Sequence, residues 1–114
     1  TTSPRAMVGS LQKLLLGSAL SPQSRHQLQQ WLLANTTGGR RLKAGLPPDW
    51  RIGDKTGTNT TDANDVAIIW PPGRSPLLVA VYLADSRASS EGKEATIAAV
   101  ATELPGIAGL NPAD

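Results

Sequence analysis

The sequence predicts an α/β fold, an antiparallel sheet of three strands flanked by helices. Three observations lead there. Two Ser-Pro steps, Ser3-Pro4 and Ser21-Pro22, each precede apolar residues at three- and four-residue spacing. Three segments rich in β-branched and aliphatic residues follow, joined by short turn-like stretches. An alanine-rich amphipathic segment then closes the order.

The first helix starts at Ser3, whose side chain can accept from orphan amides, and Pro4 sits where no amide is needed. Met7, Leu11, Leu14 and Leu15 give it one buried stripe, so it should run to about Leu16 and stop at Gly17. The second helix begins at Ser21-Pro22, carries the stripe Leu28, Trp31 and Leu32, and should end near Asn35-Thr36-Thr37-Gly38-Gly39. Residues 1–39 thus read as two antiparallel helices. Arg40 to Gly45 has room for one helical turn before Leu46-Pro47-Pro48-Asp49 ends it.

Strands are expected over Trp50–Thr58, Asp65–Trp70 and Leu77–Ala84. The connections Asn59–Asn64 and Pro71-Pro72-Gly73-Arg74 are short enough to make them antiparallel. Val66 to Trp70 and Leu77 to Leu83 alternate little, so both faces of these strands should be covered. Glu91 to Glu103, with Ala95, Ile97, Ala98, Ala101 and Leu104 at helical spacing, can cover one face before Pro105-Gly106 ends it. A frayed tail should follow from Gly106. The last strand is left with one edge unpaired, which predicts a missing partner.

Composition removes several functions. At 114 residues the chain has the length of one domain. With no cysteine and a single histidine, His26 on a polar helix face, thiol catalysis, disulfides and Cys/His metal sites are excluded or nearly so. Asp54, Asp62 and Asp65 lack the clustered oxygen spacing of a calcium loop, so no metal or other cofactor is expected. The net charge is only +2, its basic residues are scattered, and four dispersed aromatic residues make no base-stacking platform. Nucleic acid is therefore not an expected partner. No apolar stretch is long enough to span a membrane and no signal peptide is visible. The chain has no initiator Met and opens at once on a helix start, as a piece of something longer would.

The chemistry-bearing run is Asp54-Lys55-Thr56-Gly57-Thr58. An ammonium near a strand end can hold a carboxylate, the Thr56 hydroxyl adds a hydrogen bond, and Gly57 allows close approach. The Thr58 amide can then point at a developing oxyanion. Lys-Thr-Gly is the third signature element of the penicillin-recognising serine enzymes. Ser10-Leu11-Gln12-Lys13 imitates the Ser-x-x-Lys nucleophile motif, but Ser10 falls inside a helix instead of beginning one and is read as a decoy. Asn35-Thr36-Thr37 and Asn59-Thr60-Thr61 both fit the glycosylation pattern.

Further fragments accompany the motif in order: Thr1-Thr2-Ser3-Pro4-Arg5-Ala6, Leu16-Gly17-Ser18-Ala19-Leu20, Trp31-Leu32, Asn35-Thr36-Thr37-Gly38, Pro48-Asp49-Trp50, Ala63-Asn64-Asp65-Val66-Ala67 and Trp70-Pro71. With them the chain resembles the class A serine β-lactamases over nearly its whole length. The resemblance implies the carboxyl-terminal part of the two-domain β-lactamase/transpeptidase-like fold, beginning just after the Ω-loop. Residues 1–39 would belong to the all-α domain and 40–114 to the α/β domain. It further implies a β-lactam substrate whose carboxylate meets Lys55 and Thr56, with Gly57 and Asn59 lining the site and the Thr58 amide forming half of the oxyanion hole. Arg41 matches a position where several members keep a second carboxylate-binding arginine; its alternative is a solvated charge beside Arg40. The turn after Thr58 is one residue shorter than the family pattern, which bears on substrate preference.

Ser-x-x-Lys, Ser-Asp-Asn and the Ω-loop Glu would lie in a complementing amino-terminal half, the implied partner, and the isolated chain is expected to be inactive. A periplasmic or secreted location follows from the resemblance alone. The competing readings are a penicillin-binding D,D-peptidase fragment, disfavoured by the Asn35-Thr36-Thr37-Gly38 and Ala63-Asn64-Asp65 contexts, and a non-catalytic interaction module that kept the fold.

Overall fold

The computed structural model describes residues 1–109. Both Ser-Pro steps start helices as expected. Helix α1 spans Pro4–Leu11, with the Ser3 hydroxyl accepting from the Ala6 amide at 3.1 Å, and α2 spans Pro22–Leu33, with Ser21 accepting from Ser24 at 3.1 Å. The first helix does not run on regularly to Leu16. Gln12–Leu16 widens into a π-helical turn, and the Gly17 amide closes it by donating to the Gln12 carbonyl five residues back at 2.7 Å. A Cβ at Gly17 would come within 3.0 Å of the Lys13 carbonyl oxygen, so a residue without a side chain suits this close stop.

A single short turn, α3 (Leu42–Gly45), leads into the sheet. Strands β1 (Arg51–Thr58), β2 (Ala63–Trp70) and β3 (Leu77–Leu83) pair antiparallel in the order β1-β2-β3, with Thr56 opposite Asp65 and Asp65 opposite Val81. The fold class and the meander agree with the expectation from sequence. The structure corrects a strand start: β2 begins at Ala63, two residues earlier than expected, because Thr58 and Ala63 still pair beyond Asp65.

The period-two alternation of the strands divides the core into two layers. Ala63, Ala67 and Ile69 of β2 face Leu42, Ile97 and Ala101, while Ile68 faces the other way, onto Leu11 and Leu15. Helices α3 and α4 thus cover one side of the sheet, and α1, its π-helical turn and α2 the other. The covering is deepest over β2, where only Asn64, Val66 and Trp70 are half-buried. Strand β3 is packed on both faces as expected, Leu77, Val79 and Val81 on one core layer and Leu78 on the other, but every residue stays half-buried, and among the described residues its outer edge has no strand beside it. The stripe expected of α2 is also corrected. Leu28 and Leu32 pack on the core, but Trp31 is 66% exposed, turned away from the sheet.

Helix α4 (Ser90–Ile107) is longer than the sequence suggested. Ser89 caps it through the Gly92 amide at 3.0 Å. Pro105 does not end the helix but lies buried within its last turns, and the helix stops only after the Ala108 amide has bonded the Leu104 carbonyl at 2.9 Å. A proline this close to a C-terminus removes one backbone bond, and burial of its ring offsets that loss. Gly106 and Ile107 are therefore helical, not frayed; Ala108 and Gly109 form a turn, and 110–114 lie outside the described residues. No described helix is long and apolar enough to cross a membrane.

Candidate active site

Strand β1 ends with the residues that the sequence singled out. Lys55, Thr58 and Asn59 are exposed, and Thr56 and Gly57 half-buried. Lys55, Thr56 and Gly57 border a cleft of about 490 Å³ lined also by Asn64, Val66 and Tyr82 from the neighbouring strands, whereas Thr58 and Asn59 lie outside its lining. The Lys55 ammonium folds back onto the Thr56 carbonyl at 2.5 Å. It is an exposed point charge beside a hydroxyl and an unobstructed glycine, able to receive a carboxylate.

Thr56 is not isolated. Its hydroxyl shares a 2.7 Å hydrogen bond with that of Thr37, which donates to Asn35 Oδ1 at 2.9 Å, and Asn35 Nδ2 donates to Asp54 Oδ1 at 2.9 Å. A polar chain thus runs from the cleft through the stretch after α2 into the interior. The close packing it needs comes from Gly38, where any Cβ would overlap the Asp54 carboxylate, and from Gly53, which lets Leu32 and Leu33 lie against β1.

At the buried end of this chain stand two carboxyls. Asp54 and Asp65 project from the same face of adjacent strands, Asp65 entirely without solvent exposure and Asp54 nearly so. Asp65 accepts from the Leu42 amide at 3.3 Å through Oδ2. Its Oδ1, and Oδ2 of Asp54, receive no N–H or hydroxyl donor. A proton held between the two carboxyls satisfies both oxygens. Burial, followed by the hydrogen bond to Asp54 and that group's charge, pushes the Asp65 carboxyl up to about 8, against the opposing pull of the Leu42 amide and Arg41.

Arg41 is only 5% exposed, which removes its reading as a solvated charge. Its Nη1 donates to the carbonyls of Gly57 at 3.1 Å and Asn64 at 2.7 Å, its Nη2 to the Thr58 hydroxyl at 2.5 Å, and its Nε pairs with Glu94 of α4 at 3.4 Å. The guanidinium therefore lies beneath the end of β1 and brings positive charge to the Thr58 hydroxyl.

The loop after Thr58 is an Asx-type turn: Asn59 Oδ1 accepts from the amides of Thr61 at 2.9 Å and Asp62 at 2.7 Å. The Asp85 amide, then Asn59 and Thr61, hold the Asp62 carboxyl below its ordinary value. Among the described residues no cluster of three or more His, Cys, Asp or Glu side chains could hold a metal ion.

Ser10, Lys13 and His26 are exposed on α1, its π-helical turn and α2, and none lines the cleft. Sequence reasoning missed Thr37, Glu94 and Lys93, and it saw Asp54 and Asp65 only as scattered acids. Asp54, immediately before Lys55 at an inward-facing strand position, was the one available signal of a buried carboxylate.

An antiparallel sheet with helices on both faces, and a Lys-Thr-Gly-Thr strand end opening on a cleft, is the arrangement the sequence led one to expect. The profile of the beta-lactamase enzyme family matches residues 1–106, and the chain belongs to that family. It is 50% identical over 103 residues to a carbapenem-hydrolysing β-lactamase, KPC, of Klebsiella oxytoca, and 47% identical over 105 residues to the β-lactamase AER-1 of Aeromonas hydrophila. These alignments cover 89% and 91% of this chain, but 35% and 34% of the relatives.

Among solved structures, an ancestral class A β-lactamase of Gram-negative bacteria superposes with a TM-score of 0.90 at 53% identity, over 93% of this chain and 41% of that one. A β-lactamase from Xanthomonas campestris gives 0.91 at 50% identity, over 95% and 41%. The chain thus spans about a third of the length of the curated relatives it matches.

Proposed function

We propose that this chain is the carboxyl-terminal part of a class A serine β-lactamase, that it holds the substrate, and that a complementing amino-terminal half attacks it. Residues 1–39 contribute two helices to the all-α domain and residues 40–114 the end of the α/β domain. The observation that carries the reading is the end of β1, where Lys55, Thr56 and Gly57 line an open cleft while Arg41 donates to the Thr58 hydroxyl from beneath. On this reading the β-lactam carboxylate binds between the Lys55 ammonium and the Thr56 hydroxyl. With the Thr37 hydroxyl donating to Asn35, the Thr56 hydroxyl donates to Thr37, and carboxylate binding turns its proton from Thr37 to the substrate. Arg41, its nitrogens engaged by protein, acts on the carboxylate through the Thr58 hydroxyl, and Asn59 lies at the rim.

The Thr58 amide, with the amide of the nucleophile, stabilises the oxyanion that forms when serine attacks the lactam carbonyl. Water activated by the amino-terminal half then hydrolyses the acyl-enzyme. That half brings the Ser-x-x-Lys serine, the Ser-Asp-Asn loop and the Ω-loop Glu. Loss of the nucleophile costs a serine enzyme about a million-fold in turnover, so the 114 residues alone should not hydrolyse β-lactams. By the same likeness the whole enzyme works in the periplasm or outside the cell.

Denaturing mass spectrometry after incubation with a slowly released β-lactam tests the division of labour. The expected result is an acyl adduct on the amino-terminal half when both are present, disappearing with time, and an unmodified 11.9 kDa species when this chain is alone. Turnover by the pure chain would overturn the assignment of the nucleophile. An adduct that never clears would instead indicate a D,D-peptidase, and no adduct at all a non-catalytic module.

A further inference from the structure

Helix α4 sends two consecutive side chains of its first turns to the end of β1. Glu94 reaches it through Arg41, as described above. Lys93 reaches the other side: it is only 3% exposed, and its ammonium donates to the Thr60 carbonyl at 2.8 Å. A lysine at this depth has given up hydration for one hydrogen bond and the attraction of the nearby Asp62 carboxylate. A side chain of the same length without charge would fill the position at lower cost, so the cation is explained by what it holds.

What it holds is the loop that continues from Thr58. Asn59 to Asp62 is bonded internally, its Asn59 amide donating to the Asp62 carbonyl at 3.0 Å. It is tied from outside at three points. The Asp85 amide donates to Asp62 Oδ1 and the Ser86 amide to the Thr61 carbonyl, each at 3.0 Å, and Lys93 takes the Thr60 carbonyl at the tip. Of the three, only Lys93 joins the loop to the helix that also supports Arg41. We infer that Lys93 is a positioning residue: its buried ammonium fixes the loop Asn59–Asp62 and with it the Asn59 rim of the substrate site, and together with Arg41, which holds the Gly57 carbonyl of the same peptide plane, the direction of the Thr58 amide. This rests on the reading of Thr58 as an oxyanion donor. A donor displaced by a fraction of an ångström loses most of its effect on a developing charge while ground-state binding through Lys55 and Thr56 persists.

The test is Lys93→Met in the full-length protein, this chain joined to its amino-terminal half, with Glu91→Gln on the same helix as control. Hydrogen exchange at the Asn59, Thr61 and Asp62 amides should speed up by about ten- to hundredfold, the worth of a hydrogen bond to a charged donor. Protection of the β1–β2 ladder and global stability should not fall, because methionine fills the site and removes a desolvated charge. With a β-lactam substrate, kcat should drop about tenfold with KM nearly unchanged, the mark of an interaction made in the transition state. Unaltered loop exchange, or a loss spread evenly over the sheet, overturns the inference. So does a loosened loop with unchanged kcat. If the unsubstituted protein turns over no β-lactam, the proposed function fails, while the exchange data still decide whether Lys93 holds the loop.

Discussion

Replacing Asp65 by Asn should flatten the pH dependence of stability between about pH 4 and pH 8. In the native protein the Asp65 carboxyl is fully buried against Asp54 and raised to about 8, whereas in the unfolded chain it titrates at its ordinary value, 3.8. Between those two values the native state binds a proton that the unfolded state has released. Stability is therefore fully present below the unfolded value and is lost as pH rises toward the native one. One extra native proton makes the slope about 1.4 kcal/mol per pH unit across that window. Asn keeps an oxygen for the Leu42 amide and supplies a fixed N–H to Asp54, doing without titration what the shared proton does. Asp62 does not blur the result. Its carboxyl is lowered, so its contribution is present above pH 3.8 and is lost only as pH falls through the depressed native value. Urea unfolding of both proteins from pH 4 to 9 measures the slopes. Parallel curves would show that Asp54 and Asp65 hold no common proton and would refute the argument.

The remaining polar contacts give further outcomes. Arg41→Met should destabilise by about 2–3 kcal/mol, because loss of the buried guanidinium leaves half-buried Glu94 and the carbonyls of Gly57 and Asn64 without their donor; a loss below about 1 kcal/mol in urea unfolding would mean that water replaces the guanidinium. Gly38→Ala should cost about 1–3 kcal/mol as the new methyl displaces the Asp54 carboxylate, whereas Gly39→Ala, with no atom within 4 Å, should be near neutral in the same assay.

Much of the fold was legible because its signals are local. A serine before a proline specifies a helix start within two residues, and both such steps cap helices through the expected amides. Three short apolar segments with turn chemistry between them can hardly pair except as a meander. The failures are places where distant contacts overrule local ones. The π-helical turn at Gln12–Leu16 depends on packing Leu11 and Leu15 together beneath Ile68, and no spacing rule distinguishes it from a regular helix. Pro105 reads as a stop, yet the buried side of α4 accepts its ring. Trp31 fits the α2 stripe by period, but α2 rests on β1 through Gly53, so closely that the sheet leaves no room for an indole there.

The site divides along the same line. Its outward half, Lys55 to Thr58, is contiguous and could be read from one run of residues. Its inward half is assembled from pairs far apart in sequence: Asn35 with Asp54, Leu42 with Asp65, Thr60 with Lys93, and Arg41 with Glu94, 53 positions away. A charged residue is exposed in most proteins, so a single sequence gives Arg41 or Lys93 the surface as its default. Burial becomes favourable only when each donor and acceptor finds its partner, which is a property of the closed structure. The carboxyl pair shows this most plainly. Asp54 and Asp65 are each unfavourable alone in the core, and the Asp54 carboxylate fits only because Gly38 carries no side chain. What ties the inward half to the outward one is the hydroxyl pair Thr37–Thr56, the point where the polar chain from Asp54 meets the cleft.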